Sequence, residues 1–487
     1  MGGVNVIIVS LALPSHISLC LKVAKRLLSK GVDHVTIVTT EEARHSILNP
    51  NSQSSNINFE FFSDGLSLDN DRSDGEVINS LETKGSKNLS NLISALQKHK
   101  DYSCMIFGPI FHYAIDIAAK HGIPCALLWI QASAAYSICY RYCKGINEFP
   151  NMEDLNANVH LPGFPTFKVR DVHCYILPSA PEHMRNIFVN LFKKIEKVKW
   201  VIGTSVYEIE EEVVKSMASL SPIYPIGSLV SPFLLGENSD MCETKDSCIE
   251  WLDNKPSNSV IYVSFGTIAV LSKEQIDNLA MALKNSNKPF LWVLNPSKKE
   301  DGVEEELPPK FLEYTKGRSL VVKWCQQERV LMHPSVGCFV SHCGFNSMIE
   351  TILAGVPVVG LPITSDHPPD AMLITKVFGN GVRVECGEDC VASTEEFERC
   401  IWEVTDGPNA KEIKKRAMKM KELARKASEE GGSADNESTR IGASRLPGAL
   451  ASKPSNLFNN KLTLAWPEST LEARKPLFGE LESTPSY

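Results

Sequence analysis

Residues 324–367 read WCQQERVLMHPSVGCFVSHCGFNSMIETILAGVPVVGLPITSDH. Apolar runs and turn residues divide this stretch into a strand ending at Trp324, a short helix and a second strand running to His342. A tight turn at Gly344, a helix beginning near Asn346–Ser347 and a third strand over 356–361 complete it. A glycine at the turn lets backbone approach a ligand closely. The helix that follows offers free N–H groups and the positive end of its dipole. Together these make a cradle for phosphate, and His342 adds a donor beside it. Glu350 lies one helical turn beyond Asn346 on the same face, where a carboxylate could grip a ribose diol. Trp324 offers a flat face for a base. Asp366 and His367 end the stretch, where they could meet sugar hydroxyls.

The same alternation of strand and helix extends outward in both directions. Downstream of residue 259, strands are expected at Val260–Phe265, Pro289–Leu294 and Leu320–Trp324, with a helix at Lys273–Lys284. Toward the N-terminus, VNVIIVSLAL (4–13) is a continuous apolar run, as in a strand buried on both faces. A helical pattern over His16–Lys30 follows, closed by Gly31. Further strands are expected at Val35–Thr40, Ser103–Gly108, Cys125–Ile130 and Trp200–Thr204. Alternation of this kind implies parallel sheets, with ligands bound outside the carboxyl ends of the strands. A Pro-, Gly- and Ser-rich stretch interrupts it. The expected division is therefore a domain over 1–230, a linker over 231–258, a second domain over 259–430 and an atypical, disordered tail over 431–487.

The chain has 487 residues, with 50 Lys+Arg against 58 Asp+Glu and a net charge of −8. That balance argues against nucleic acid and anionic membrane surfaces as partners. No segment reaches the roughly 18–20 apolar residues that span a bilayer, and the N-terminal apolar run lacks the basic flank of a signal peptide. The 14 cysteines are scattered, without metal-ligand spacing. A cytoplasmic protein with reduced thiols and no metal site is the expectation.

The 324–367 block resembles the signature box of the plant UDP-dependent glycosyltransferases of secondary metabolism. WCQQ, HPSVGCFVSHCGFNS, Glu350, AGVPVV and Asp366 all fall at the family's spacing. The resemblance implies the α/β GT-B fold, two Rossmann-like domains whose parallel sheets face each other across a cleft. It implies a UDP-sugar as donor substrate, no other cofactor and a small aromatic acceptor. Trp324 would stack on uracil with Gln327 near its edge, and Glu350 would take the ribose. His342, Gly344, Asn346 and Ser347 would hold the diphosphate, helped by Thr267 in the SFGT turn. Asp366 and His367 would contact the sugar. His16, in LALPSHISL, matches the family's catalytic base, which deprotonates the acceptor for an inverting attack on the anomeric carbon. A monomer is expected.

Five departures from the family pattern refine these expectations. Gly108 stands where many relatives carry the Asp that orients the catalytic His. A subgroup that esterifies phenolic carboxylic acids lacks that Asp too, and FFSDGL (61–66) and ALLWIQASAAYSICYRYCKG (126–145) resemble that subgroup. A carboxylic acid, with a pKa of about 4, is already ionised at neutral pH, whereas a phenol, at about 10, needs a base. The expected product is therefore a glucose ester, with O- or C-glycosylation of a phenolic acceptor as the alternative. Phe345, Thr364 and His367 replace the usual Trp, Trp and Gln, which leaves UDP-galactose or a UDP-pentose open beside UDP-glucose. The unrelated sequence after GGS leaves a further alternative, a homologue that binds UDP-sugar without turnover.

Overall fold

The structure, a computed structural model, describes residues 3–44, 56–67, 73–229, 234, 247–266, 271–294, 307–387, 390–429, 431–434 and 436. Its contacts divide the chain into two units. The first takes the chain as far as Glu148, Ser179–Leu229 and the residues from Ala427 into the tail; the second takes Phe149–Pro178 and Val230–Lys426. This differs from the expected division at three places, one being that the residues from Ala427, expected in the second domain as far as 430, fall in the first unit. Residues 149–178 belong with the second unit, and so does the helix Ser247–Asp253, which lies in the expected linker.

Fifteen strands are described. In chain order they are β1 (Asn5–Val9), β2 (His34–Thr40), β3 (Ile57–Phe62), β4 (Cys104–Phe107) and β5 (Cys125–Trp129). Next come β6 (Asn158–Val159), β7 (Phe167–Lys168), β8 (Trp200–Gly203) and β9 (Ile223–Pro225). The last six are β10 (Val260–Ser264), β11 (Phe290–Val293), β12 (Ser319–Val322), β13 (Val336–Ser341), β14 (Val358–Gly360) and β15 (Gly381–Arg383).

The first unit is built on a seven-stranded parallel sheet in the order β3-β2-β1-β4-β5-β8-β9. From β1 the chain goes to β2 on one side, and from β4 it goes to β5 on the other. The sheet's switch point therefore lies between the carboxyl ends of β1 and β4, where Val9 pairs with Phe107. Every residue of β1 is buried, as a strand covered on both faces requires. After β1, the helix Pro14–Ser29 starts with proline in its first turn and ends at Gly31, whose φ of 89° is the left-handed value that favours glycine. It begins two residues earlier than expected because proline is tolerated where no intrahelical N–H bond is needed.

The second unit holds a six-stranded parallel sheet in the order β12-β11-β10-β13-β14-β15. Alternate residues of its central strands enter two separate cores. Ile261, Val263, Trp292, Cys338 and Val340 pack on one face; Val260, Tyr262, Leu291 and Phe339 pack on the other. Burying each of these side chains is worth roughly 1.5–3 kcal/mol, so both faces resist displacement. The switch point here lies between β10 and β13.

The expected disordered tail over 431–487 differs from the structure at its first residues. Residues 431–434 are packed in the first unit: Ala434 is buried where Gly227 leaves room, since a Cβ at Gly227 would sit 2.4 Å from that of Ala434. The hydroxyl of Ser433 also donates to Glu208 at 2.9 Å. Residues 437–487 lie outside the described residues.

Candidate active site

In the second unit the expected nucleotide residues converge on the carboxyl ends of β10, β12 and β13. Trp324 follows β12 and is 63% exposed, an open aromatic face rather than a core residue. Gln327 opens the short helix Gln327–Leu331 and is held from three directions. Its Oε1 accepts from the Tyr262 hydroxyl at 3.1 Å. Its Nε2 donates to Ser347 Oγ at 2.9 Å and to Glu350 Oε2 at 2.7 Å. Glu350 thus keeps its carboxylate beside Gln327, in a geometry set before any ligand arrives. Tyr262 was not singled out by sequence, where it reads as one more apolar position of a core strand. It is buried, stacked on Phe339 at 4.8 Å, and its hydroxyl emerges under Gln327.

The turn after β13 gives Gly344 a packing role beside the ligand approach expected of it. Its φ is −59°, open to any residue. Its missing Cβ makes room for a neighbour, because a Cβ there would fall 2.4 Å from His342 Nε2. Gly266, after β10, yields in the same way to the His342 ring, at 2.9 Å. The left-handed residue of the turn is Cys343, at φ 69°. The helix Phe345–Ala354 then begins with no side-chain cap, so its first N–H groups remain open to an anion. Asn346 is exposed in that first turn and Ser347 is buried. Thr267 lies outside the described residues.

After β14, Asp366 ends the loop at the N-cap position of the helix His367–Met372, and His367 is the first residue of that helix. Asp366 is buried, which raises its carboxyl to about 6. His367 Nδ1 accepts from the backbone N–H groups of Thr364 at 3.1 Å and Ile363 at 3.3 Å. The ring proton therefore resides on Nε2. Burial, then the neighbouring His342 and His173, hold this imidazole well below its ordinary pKa. His342 meets it edge-on at 4.8 Å, and burial lowers His342 to about 4, opposed by the hydrogen bond that the ring donates to the Ser264 backbone carbonyl. Both rings are neutral at pH 7, so they serve as hydrogen-bonding groups and not as cations.

In the first unit, His16 is the third residue of the helix after β1, partly exposed at the sheet's switch point. Burial alone lowers its pKa to about 4, and no carboxylate among the described residues raises it. Gly108 follows β4 across the same switch point. Its φ of −85° and ψ of 167° suit any residue, and a Cβ there would meet nothing within 4 Å. Asp116, in the helix Ala114–Lys120 that follows, is committed to Lys194 at 2.6 Å and Lys197 at 3.3 Å. Among the described residues no cluster of His, Cys, Asp or Glu could hold a metal ion, and no helix is long and apolar enough to cross a membrane.

Two Rossmann-like parallel sheets, one bearing an open helix N-terminus, a carboxylate–amide pair and an exposed tryptophan, define a nucleotide-sugar enzyme of the GT-B class. Residues 237–427 match the UDP-glucoronosyl and UDP-glucosyl transferase family. UDP-glycosyltransferase 84B1 of Arabidopsis thaliana is 42% identical, over 88% of this chain and 95% of its own length. Gallate 1-beta-glucosyltransferase 84A24 of Punica granatum is 36% identical, over 89% and 87%. The crystal structure of Os79 from O. sativa in complex with U2F and trichothecene matches with a TM-score of 0.79 and 27% identity, covering 90% of this chain and 99% of that one. The chain belongs to the UDP-glycosyltransferase family, and it is an enzyme of the plant type.

Proposed function

We propose that the second unit binds UDP-glucose and that the first presents a phenolic carboxylic acid, which attacks the anomeric carbon with inversion to give a glucose ester and UDP. The observation that carries this reading is Gly108, which stands across the first sheet's switch point from His16 and supplies no carboxylate partner, while burial lowers the imidazole to about 4. Such an imidazole is neutral down to about pH 4 but a poor match for a phenol of pKa about 10. An acceptor already ionised at pH 7 needs only to be oriented. The gallate and cinnamate glucosyltransferases among the relatives, from Punica granatum and from Fragaria ananassa at 35% identity, support the same substrate class. Uracil would stack on Trp324, the ribose would meet Glu350, and the diphosphate would meet the N–H groups of 345–347. The negative charge that develops on the leaving UDP falls at that helix end.

The test is a screen of UDP-sugars against phenolic acids, their methyl esters and simple phenols, read by mass spectrometry. Transfer to the free acids and not to their methyl esters is the expected result. UDP binding without turnover on any acceptor would replace the enzyme reading with that of a silent homologue.

Gly108→Asp is expected to raise activity on phenols by about tenfold or more, because a carboxylate that orients and stabilises the imidazolium strengthens a general base. The site has room, and aspartate suits the cap position before Pro109. The ratio of kcat/KM for a phenol to that for a phenolic acid measures it; an unchanged ratio would exclude Gly108 as the reason for a weak base. His367→Gln is expected to shift the donor profile further toward glucose. Competition between UDP-glucose and UDP-galactose reads this directly, and an identical profile would remove residue 367 from donor selection.

A further inference from the structure

Residues 149–178 lie in sequence between two parts of the first unit, yet they pack in the second. Their anchor is Asp171, in the 3₁₀ turn Val169–Asp171 after β7. It is 5% exposed, and its Oδ1 accepts from Arg383 Nη1 at 2.6 Å. Its Oδ2 accepts from the Lys168 N–H at 3.0 Å and from Lys376 Nζ at 3.4 Å. Beside it, Arg170 grips both oxygens of Glu385, at 2.6 and 3.2 Å. Breaking a buried charge pair from one side strands the other charge, so this docking is specific and not an incidental contact.

Three residues further on, the chain reaches the donor loop. His173 caps the 3₁₀ turn Cys174–Ile176, its Nδ1 accepting from the Tyr175 N–H at 3.2 Å. The Cys174 N–H donates to the carbonyl of Ser365 at 3.0 Å. Ser365 stands at φ 58°, a left-handed conformation that a residue with a side chain adopts only when its surroundings impose it. Asp366 and His367 come next. The strained residue is thus held from outside by the Cys174 N–H, and the turn from inside by His367 Nδ1 through the N–H groups of 363 and 364.

We infer that the segment 168–176 is a positioning element for the sugar-contacting turn 363–367, with Asp171 as its anchor and the Cys174 N–H as its point of action. Discrimination among UDP-sugars is then set partly by a stretch of chain outside the donor-binding block. The inference rests on the reading that Asp366 and His367 meet the donor sugar. It stands apart from the expected uracil and ribose contacts of Trp324, Gln327 and Glu350 and from the N–H groups of the helix after Gly344, its one link to the diphosphate side being His342, which meets the His367 ring at 4.8 Å.

Cys174→Pro removes that one N–H at the first position of a 3₁₀ turn, where proline is tolerated, and His173 already has the extended backbone that precedes proline. Asp171→Asn weakens the anchor independently while keeping the acceptor for Lys168. Both variants are expected to lower the affinity for UDP-glucose by about tenfold and narrow its preference over UDP-galactose, with the affinity for UDP within about twofold of wild type. Isothermal titration with UDP, initial rates with each UDP-sugar and thermal melting read these effects. Parallel losses for UDP and UDP-glucose together with a lowered melting temperature would show a purely structural role and overturn the inference. Wild-type behaviour of both variants, alongside an Asp366→Ala protein that does lose UDP-glucose affinity, would overturn the inference alone. An Asp366→Ala protein with unchanged UDP-glucose affinity would overturn the sugar-turn reading and the inference together.

Discussion

His16→Ala is expected to reduce transfer to phenolic hydroxyls by about 10²-fold, the lower end of the range for loss of a positioned general base, because an unpartnered imidazole is a weak one. Transfer to phenolic carboxylic acids should fall far less, to the extent that the imidazole orients the carboxylate instead of deprotonating it. The sign follows from the pKa values. Burial lowers His16 to about 4, so the ring is neutral above that pH, where a carboxylic acid acceptor is also ionised. On a phenolic acid the wild-type rate should therefore stay level from about pH 5 to 8 and fall only as acceptor and imidazole are both protonated near 4. On a phenol the rate should keep climbing as the hydroxyl ionises. Equal loss on both acceptor classes in the alanine variant would remove the base argument.

Glu350→Ala is expected to weaken UDP binding by roughly 1–3 kcal/mol, or about 5- to 150-fold. The loss has two parts. The ribose loses its acceptor, and Gln327 Nε2 loses its partner at 2.7 Å, leaving the amide held by Ser347 on Nε2 and by Tyr262 on Oε1. Glu350→Gln keeps the length and one acceptor oxygen, so a smaller loss is expected there. Titration with UDP and with UMP should show the same decrement, because the contact is to the sugar of the nucleotide and not to the second phosphate. Unchanged affinity in the alanine variant would separate Glu350 from the nucleotide.

Much of this was legible in the sequence. Strands buried on both faces declare themselves as apolar runs, and β1, β5, β10 and β13 were all readable in that way. Strand β3 was not: INFEFF lies at the sheet edge, and four of its six residues are partly or fully exposed, which breaks the run. The three-residue β9 and β15 are too short to carry a pattern. At the site, the spacing of Trp324, Glu350 and His342 was informative because the residues lie close together in sequence on successive elements. What the sequence could not give were contacts across long separations. Tyr262 reaches Gln327 over 65 positions, and Asp171 reaches Arg383 over 212. Nor could it show what Gly344 spares, since a glycine in sequence does not say whether a ligand or the neighbouring His342 occupies the space of its Cβ.

The claim on which the account depends is that the protein transfers glucose to an acceptor that arrives already ionised. The most direct measurement incubates it with UDP-glucose and a phenolic acid and treats the product with mild alkali before mass spectrometry. A glucose conjugate that alkali returns to the free acid is the predicted result. A conjugate that survives alkali would place the sugar on a phenolic oxygen or ring carbon and contradict the account.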